Sequence, residues 1–337
     1  MNSTDSEKWE LARAQELQAC KSNSTWGNLQ DLPKGKKFVN LGFIYNVKRS
    51  GEDVPPRFKA RLVYKNHPFV NSSSWDQVFA PVVDKATLRI FFTISGRERL
   101  YLRQADVVTA YLNADMDEEV YIKLPKICGD DSNQVRPLLK ALYGHPKAGQ
   151  LWNNKFVTFM NEEGFIQSVR DKCFFYKLQR LVLVVLYVDD LLVAARHMSD
   201  LNKFWSKLER KFKIRSMGEP KFFLGMEVSY LQEQGLVSLS QCSYISDMSI
   251  RFNLPEQERP VTPIKADYYE KLQSSVNDNV LVDVPYKELV GSLIYVMVCT
   301  RPDVAFCVSC LTSYFSAPKQ VHWDTAMRCL GYLKTWA

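Results

Sequence analysis

The strongest constraint in this sequence is an apolar run that two adjacent carboxylates interrupt, between Leu181 and Ala195. It reads LVLVVLYV, then Asp189-Asp190, then LLVAA. Its many valines favour β-strands over a helix, and the polar break lies where a hairpin turn would form. A membrane helix needs about 20 apolar residues, and two central carboxylates would destabilise it by several kcal/mol. We therefore predict a hairpin of two buried strands, and we expect no membrane partner.

The two carboxylates at the hairpin tip, Asp189 and Asp190, would repel each other and lose solvation. A divalent cation would relieve both effects, although a plain turn containing aspartates is the alternative interpretation. Asp106 ends a second predicted strand, which begins at Leu100. Carboxylates from two adjacent strands can hold two Mg²⁺ ions, which activate an attacking hydroxyl and stabilise a leaving pyrophosphate. This pattern makes nucleotidyl transfer a hypothesis.

The net charge of +7 is unevenly distributed. Between Lys34 and Lys65, nine basic residues face only two acidic ones, an excess as large as that of the whole chain. A second basic run spans Lys203 to Lys221. Either run could be a solvated face. Together they favour a surface that binds phosphates, because clustered Lys and Arg release counterions from a nucleic-acid backbone.

The length of 337 residues suggests about two domains, and the 46% hydrophobic content excludes a disordered chain. Eight cysteines are too sparse for a disulfide scaffold, so we expect a reducing compartment. Cys307 and Cys310, with His322 and Cys329 downstream, have a spacing that fits zinc. We prefer the interpretation that Cys307 and Cys310 are buried thiols that pack inside a predicted helix. We find no P-loop and no Rossmann glycine pattern.

Hydrophobic periodicity predicts the elements of the chain. Predicted helices cover residues 5–20, 147–163, 201–212, 286–297, 302–315 and 323–333. Predicted strands cover residues 38–47, 58–65, 100–106, 174–178 and 181–187, a strand from Leu191 onward, and a hairpin over 222–230 and 236–240. The segment 87–95 is ambiguous between helix and strand. The polar, proline-bearing stretch 255–285 is the best internal boundary.

The segment Tyr187-Val188-Asp189-Asp190, flanked by apolar strands, resembles the catalytic hairpin of reverse transcriptases. Further blocks keep the order that they have in copia-type retrotransposon Pol polyproteins, from about Trp9 onward. They are FKARLVYK (58–65), WDQVFAPVVDKATLRIFFTIS (75–95), QADVVTAYLNADMDEEVYIKLP (104–125), LLKALYGHPKAGQLW (138–152), MGEPKFFLGMEV (217–228), YKELVGSLIYVMVCTRPDVAF (286–306) and HWDTAMRCLGYLK (322–334). The chain therefore resembles the reverse transcriptase region of these polyproteins.

The resemblance implies an α+β fold of the right-hand polymerase type, with fingers, palm and thumb, an antiparallel palm sheet and a C-terminal helical connection. It implies an N-terminal helical lead-in over residues 1–25 and fingers, palm and thumb over 26–265. Residues 266–337 would form a connection leading toward an RNase H domain that this chain lacks. The implied reaction is RNA-directed DNA synthesis, in which a primer 3′-hydroxyl attacks the α-phosphate of a dNTP.

The resemblance also assigns roles to individual residues. The residues expected to be catalytic and to bind two Mg²⁺ ions, with Mn²⁺ as an alternative, are Asp106, Asp189 and Asp190. The residues expected to bind the dNTP are Lys59, Arg61, Tyr111, Tyr143 and Gly144. The Tyr111 ring would exclude a 2′-hydroxyl by shape, and Gly144 would allow close backbone approach beside the nascent base pair. Leu224 and Gly225 are expected to form the primer grip.

The expected partners are an RNA or DNA template with its primer, and dNTPs, in a cytoplasmic virus-like particle. The sequence does not set the oligomeric state. The family pattern YGLKQAPR is here YGHPKAGQ, so Pro146, Gly149 and Gln150 depart from it beside the expected nucleotide site. A truncated, catalytically decayed retrotransposon remnant, which at most binds nucleic acid, is therefore the alternative interpretation.

Overall fold

The computed structural model describes residues 5–48, 55–65, 80–128, 133–255, 259–268, 270–271 and 284–336. The described helices are α1 (Ser6–Ser22), α2 (Lys85–Arg97), α3 (Ala148–Glu162), α4 (Met198–Lys211), α5 (Cys242–Arg251), α6 (Tyr286–Cys299), α7 (Ala305–Thr312) and α8 (Gln320–Thr335). The described strands are β1 (Phe38–Lys48), β2 (Arg57–Tyr64), β3 (Tyr101–Val107), β4 (Tyr121–Lys123), β5 (Arg136–Pro137), β6 (Ile166–Gln167), β7 (Phe174–Lys177), β8 (Val182–Tyr187), β9 (Asp190–Ala195), β10 (Ile214–Gly218), β11 (Phe222–Phe223), β12 (Met226–Leu231) and β13 (Leu236–Ser240). None of these helices is long and apolar enough to cross a membrane.

The chain divides into two compact units. The first contains Met1–Thr87 and Tyr101–Gly218, and the second contains Leu88–Leu100 and Glu219–Ala337. The predicted division into lead-in, polymerase and connection is a functional one, with different boundaries, and it stays a prediction. Residues 66–79, which include the start of the 75–95 block, lie outside the described residues.

The first unit contains a six-stranded sheet in the order β10-β3-β9-β8-β7-β6, in which every neighbouring pair is antiparallel. Helices α3 and α4 contribute large apolar side chains to its core, among them Trp152, Phe156 and Leu208. The strands contribute Val184 and Val193, which are fully buried. The predicted α+β class with an antiparallel sheet is therefore confirmed.

A smaller four-stranded sheet in the first unit has the order β2-β1-β4-β5. Strands β1 and β2 are antiparallel, with Phe43 opposite Leu62, whereas β1 and β4 are parallel. Leu62 and Ile122 are buried in a core that also includes Cys20 from α1. Because β2 lies at one edge of this sheet, α1 covers an edge that would otherwise be open to pairing.

The second unit combines the three-stranded sheet β11-β12-β13 with α5 to α8. Its core includes Leu293 from α6, Leu311 from α7 and Leu330 from α8, all fully buried. The Tyr286 hydroxyl donates a hydrogen bond to the Leu311 carbonyl at 2.8 Å, which ties α6 to the end of α7. Helices α5 to α8 therefore share one apolar core, so described helices on both sides of the predicted boundary stretch 255–285 pack together.

Three predicted elements differ in the structure. The ambiguous segment 87–95 is part of the helix α2, because Leu88, Phe91 and Phe92 share a buried face at helical spacing. The segment predicted as one strand over 222–230 is broken by a turn at Leu224-Gly225, where both residues have positive φ. The helix predicted over 302–315 is a 3₁₀ turn followed by the shorter α7.

Candidate active site

The predicted hairpin is present, and its tip is held by the core. Tyr187 pairs with Asp190 at the end of the β8–β9 ladder, and Val188 and Asp189 form the turn between them. Val188 has a φ of 55°, which is a left-handed conformation that a β-branched residue rarely adopts. The Trp152 indole N–H donates a hydrogen bond to the Val188 carbonyl at 2.6 Å. A buried side chain of α3 thus fixes a strained turn, and such strain is typical of functional sites.

Strand β3 brings the third carboxylate to this tip. Asp106 lies directly opposite Asp190 in the β3–β9 ladder. The next residue, Val107, donates its backbone N–H to the Asp189 carbonyl at 2.7 Å. The predicted catalytic residues Asp106, Asp189 and Asp190 therefore meet at one end of the six-stranded sheet.

A cavity of about 360 Å³ lies at this end of the first unit. Asp106 and Asp189 both line it, together with Tyr143. Asp190 is not among its lining residues. Asp190 adjoins the site through its place opposite Asp106 in the ladder, a position from which cross-strand side chains share a face. Of the two adjacent aspartates, Asp189 therefore lines the cavity and Asp190 adjoins it through the ladder.

The cavity carries both signs of charge. Cationic side chains from β2 and β10 line it, namely Arg57, Lys59, Arg61 and Arg215. The third lining carboxylate is Glu16 from α1. Arg215 lies opposite Asp106 in the β10–β3 ladder, and its guanidinium donates to Asp106 Oδ2 at 2.9 Å. The predicted nucleotide-binding cations Lys59 and Arg61 thus face the same space as the two carboxylates.

Two of the predicted nucleotide-binding residues are tyrosines that pack on each other, and of these Tyr143 lines the cavity whereas Tyr111 does not. The rings of Tyr111 and Tyr143 are tilted against each other with centroids 4.7 Å apart. The Arg61 guanidinium lies 4.1 Å from the centre of the Tyr143 ring, within range of a cation–π interaction. Burial raises the pKa of Tyr143 to about 12, and burial and the charge of Asp189 raise the pKa of Tyr111. Both phenols therefore remain protonated at neutral pH.

The structure explains the glycine at position 144 by its backbone packing, which differs from the predicted explanation. Its φ is +85°, and an added Cβ would lie 3.2 Å from the backbone nitrogen of Tyr64 in β2. The preceding carbonyl, of Tyr143, accepts the Tyr64 N–H at 3.1 Å. The glycine thus allows this loop to cross β2 closely. Its approach to a nascent base pair stays a prediction.

The predicted primer-grip residues lie in the second unit. Leu224 and Gly225 form the turn between β11 and β12, with φ values of 48° and 74°. The Tyr295 hydroxyl donates to the Leu224 carbonyl at 2.5 Å, and a Cβ on Gly225 would collide with that hydroxyl. Tyr295 therefore anchors the turn, whose role in gripping a primer stays a prediction.

The carboxylates that line the cavity are only part of what a site for a hard divalent cation needs. Asp106 and Asp189 present carboxylate oxygens to one cavity, and such oxygens are the ligands that Mg²⁺ and Mn²⁺ prefer. Within the described part of the chain, no group of three or more His, Cys, Asp or Glu residues is arranged to hold a metal ion. The structure therefore gathers two of the three predicted metal ligands around the cavity.

Three charged residues that line the cavity were not predicted as site residues, namely Glu16, Arg57 and Arg215. Arg57 belongs to the first basic run. Glu16 belongs to a helix that was predicted only as a lead-in, and no local pattern marks it. Arg215 belongs to the second basic run, and that run was the one signal that could have found it. Its pairing with Asp106 depends on the register of β10 against β3.

These features, an antiparallel sheet with carboxylates at a hairpin tip beside a cation-lined cavity, agree with a match to a known family. A sequence model described as reverse transcriptase (RNA-dependent DNA polymerase) matches residues 23–266, well over half of the chain. The chain belongs to this reverse transcriptase family.

Its relatives include Pol polyproteins of plant transposons. It is 30% identical over 342 residues to the retrovirus-related Pol polyprotein from transposon TNT 1-94 of Nicotiana tabacum. It is 31% identical over 333 residues to that from transposon RE1 of Arabidopsis thaliana. Each alignment covers 97% of this chain, but only 26% and 22% of the relative. The resemblance to copia-type Pol polyproteins is confirmed, and the chain spans about a quarter of these relatives.

Among solved structures, a foamy viral protease-reverse transcriptase in complex with double-stranded DNA aligns with 97% of this chain and 48% of its own. The identity is 12% and the TM-score is 0.44. Because this score is low, the family assignment comes from the sequence match alone.

Proposed function

We propose that this chain is an RNA-directed DNA polymerase of a copia-type retrotransposon, which transfers a dNTP to a primer 3′-hydroxyl with two divalent metal ions. The observation that carries the proposal is the convergence of Asp106 and Asp189, from adjacent parts of one sheet, on a cavity lined by Lys59 and Arg61. Metal-ion nucleotidyl transfer needs carboxylates and phosphate-binding cations around one reacting centre.

The residues of the cavity have distinct tasks in this proposal. Asp106 and Asp189 hold Mg²⁺ or Mn²⁺, which supply the Lewis-acid chemistry when bound, with Asp190 alongside. Lys59 and Arg61 neutralise the triphosphate. Arg61 reaches this position while lying against the Tyr143 ring, so its side chain is already oriented.

Two further groups have tasks in this proposal: Tyr111, which packs behind the lining residue Tyr143, and Arg215, which lines the cavity. The Tyr111 ring, packed on Tyr143, limits the space beneath the sugar and favours deoxynucleotides. The Arg215 guanidinium on Asp106 Oδ2 orients that carboxylate before ligands bind. A template and primer are the partners that this reaction requires, and the basic side chains of β2 and β10 suit their phosphates.

The altered segment 145–150, which runs into the first turn of α3, is packed against its neighbours. His145 Nδ1 accepts the Lys147 backbone N–H at 3.2 Å, and the His145 ring meets the Tyr64 ring at 5.3 Å. A Cβ on Gly149 would lie 2.7 Å from the Ala80 side chain, so glycine fits this position. The departure at Gly149 is therefore accommodated by its surroundings.

The test is Mg²⁺-dependent dNTP incorporation on a primed RNA template, with Asp189→Asn beside the native chain. The matched control is Asp31→Asn, since Asp31 is exposed and bonds only to the Gln134 side chain in the structure described. Incorporation that is lost in Asp189→Asn and kept in Asp31→Asn supports the proposal. Template–primer binding without incorporation in the native chain would indicate the remnant. Activity retained in Asp189→Asn would refute the metal assignment.

A further inference from the structure

Helix α1 contributes directly to the nucleotide cavity, although it lies before the region that the family match covers. Ala12, Gln15 and Glu16 line the cavity. Their spacing places them on one face of the helix. The family match from residue 23 onward assigns nothing to these positions. Their presence in the wall of the cavity therefore comes from the structure alone.

Glu16 makes the polar contact between this helix and β2. Its Oε1 accepts the backbone N–H of Leu62 at 3.1 Å. Leu62 follows Arg61 in β2, which is an edge strand with β1 on one side only. The Leu62 N–H that bonds to Glu16 lies on the other, open side of β2. Burial raises the pKa of Glu16, and the opposing influences are this N–H and the charges of Arg61 and Lys59. The carboxylate lines the same cavity as both cations.

The two cations are on the strand that Glu16 fixes. Lys59 and Arg61 are two residues apart in β2, so their side chains leave the same face of the strand. Long cationic side chains lose rotamer freedom when they bind a ligand, unless neighbouring groups already orient them. Tyr143 orients Arg61 from one side of the cavity, and α1 borders the cavity as well.

We propose that Glu16 is a positioning residue for nucleotide binding, which fixes β2 through Leu62 and orients Arg61 and Lys59 toward the triphosphate. The inference rests on the proposed polymerase function. Glu16 itself does not touch the reacting atoms in this proposal. Its removal should therefore affect the binding of the nucleotide and leave the chemical step nearly unchanged.

The experiment compares Glu16→Ala, Glu16→Gln and a matched control, Glu10→Gln, in dNTP incorporation at varied dNTP concentration. Glu10 is an exposed glutamate on the same helix, with Oε1 3.8 Å from Arg13. For Glu16→Ala we expect KM for dNTP to rise about tenfold, equivalent to about 1.4 kcal/mol, with kcat within about twofold. Glu16→Gln keeps an acceptor for Leu62 and should raise KM only about threefold. Glu10→Gln should match the native chain.

A mutant cycle in an Arg61→Ala/Lys59→Ala background separates positioning from general destabilisation. In that background, Glu16→Ala should raise KM by less than about twofold, because both side chains that it orients are gone. A full tenfold effect in that background would overturn the inference, as would an unchanged KM in Glu16→Ala. A lower KM in Glu16→Gln would mean that the carboxylate merely repels the triphosphate, which also overturns it.

Thermal melting of each variant distinguishes a positioning role of Glu16 from a purely structural role. If Glu16→Ala melts early and Glu16→Gln shows the native KM and Tm, Glu16 has only a structural role and the inference fails. If the native chain itself incorporates no dNTP, the proposed function fails and this inference fails with it. An active native chain with unaffected Glu16 variants would refute the inference alone.

Discussion

Replacing Trp152 by phenylalanine tests whether the core of the first unit holds the catalytic turn. The substitution removes the indole N–H that bonds to the Val188 carbonyl at 2.6 Å. A net hydrogen bond contributes about 1 kcal/mol, and the volume lost from a fully buried ring adds about 1 kcal/mol. The left-handed backbone of Val188 stores about 1–3 kcal/mol of strain that this bond helps to retain. We therefore expect the free energy of unfolding to fall by about 2 kcal/mol.

The turn should also relax toward an ordinary conformation and displace Asp189. Misplacement of a catalytic group by about 1 Å can lower a rate by about a hundredfold, so we expect kcat to fall at least about tenfold. The matched control is Trp205→Phe, because Trp205 is buried in the same core and its N–H bonds only to Glu209 one turn along α4. Urea unfolding and dNTP incorporation measure both effects. Equal kcat in the two variants would refute the link between Trp152 and the catalytic turn.

Two further predictions concern stability. Gly144→Ala should destabilise the chain more than Gly35→Ala in thermal melting. Both glycines have φ above +80°, which costs alanine about 1–2 kcal/mol, but only at Gly144 does the new Cβ press against Tyr64. Equal shifts in Tm would show that this contact is unimportant. Burial lowers the pKa of His322 to about 4, below its usual 6.5, so the neutral ring stabilises the fold at neutral pH. This stabilisation should be lost as pH falls from 6.5 toward 4, by up to about 3 kcal/mol, and a His322→Gln variant should lack that loss in denaturant titrations across this range.

The sheet that carries the site could be predicted because its pattern is local. A continuous apolar run rich in valine marks β8 and β9, and the aspartates mark the turn between them. The helix α2 could not be assigned, since its apolar residues satisfy both periods and only the packing of Phe91 and Phe92 decides between them. The break at Leu224 was also hidden, because a leucine gives no local signal for a φ of 48°.

The site could be predicted in part. Asp106 and Asp189 follow from the resemblance, and the structure places both around one cavity. The pairings of Glu16 and Arg215 could not be predicted, because their partners are far away in sequence. Glu16 bonds to a backbone N–H 46 residues away, and Arg215 pairs with a carboxylate 109 residues away. Such contacts depend on helix docking and strand register, which no local pattern specifies.

These two missed residues explain how the cavity can keep opposite charges without a ligand. Glu16 lines the same cavity as the cations of β2, and Arg215 is bonded to Asp106. The carboxylate of Asp106, which a metal ion would engage, thus has a counter-charge from another strand. Buried or partly buried charges of one sign would raise the free energy of the folded chain if no opposite charge compensated them. In the proposed function, the nucleotide and its metal ions replace protein groups as the partners of side chains that are already oriented. This lowers the entropic cost of ordering those side chains on binding.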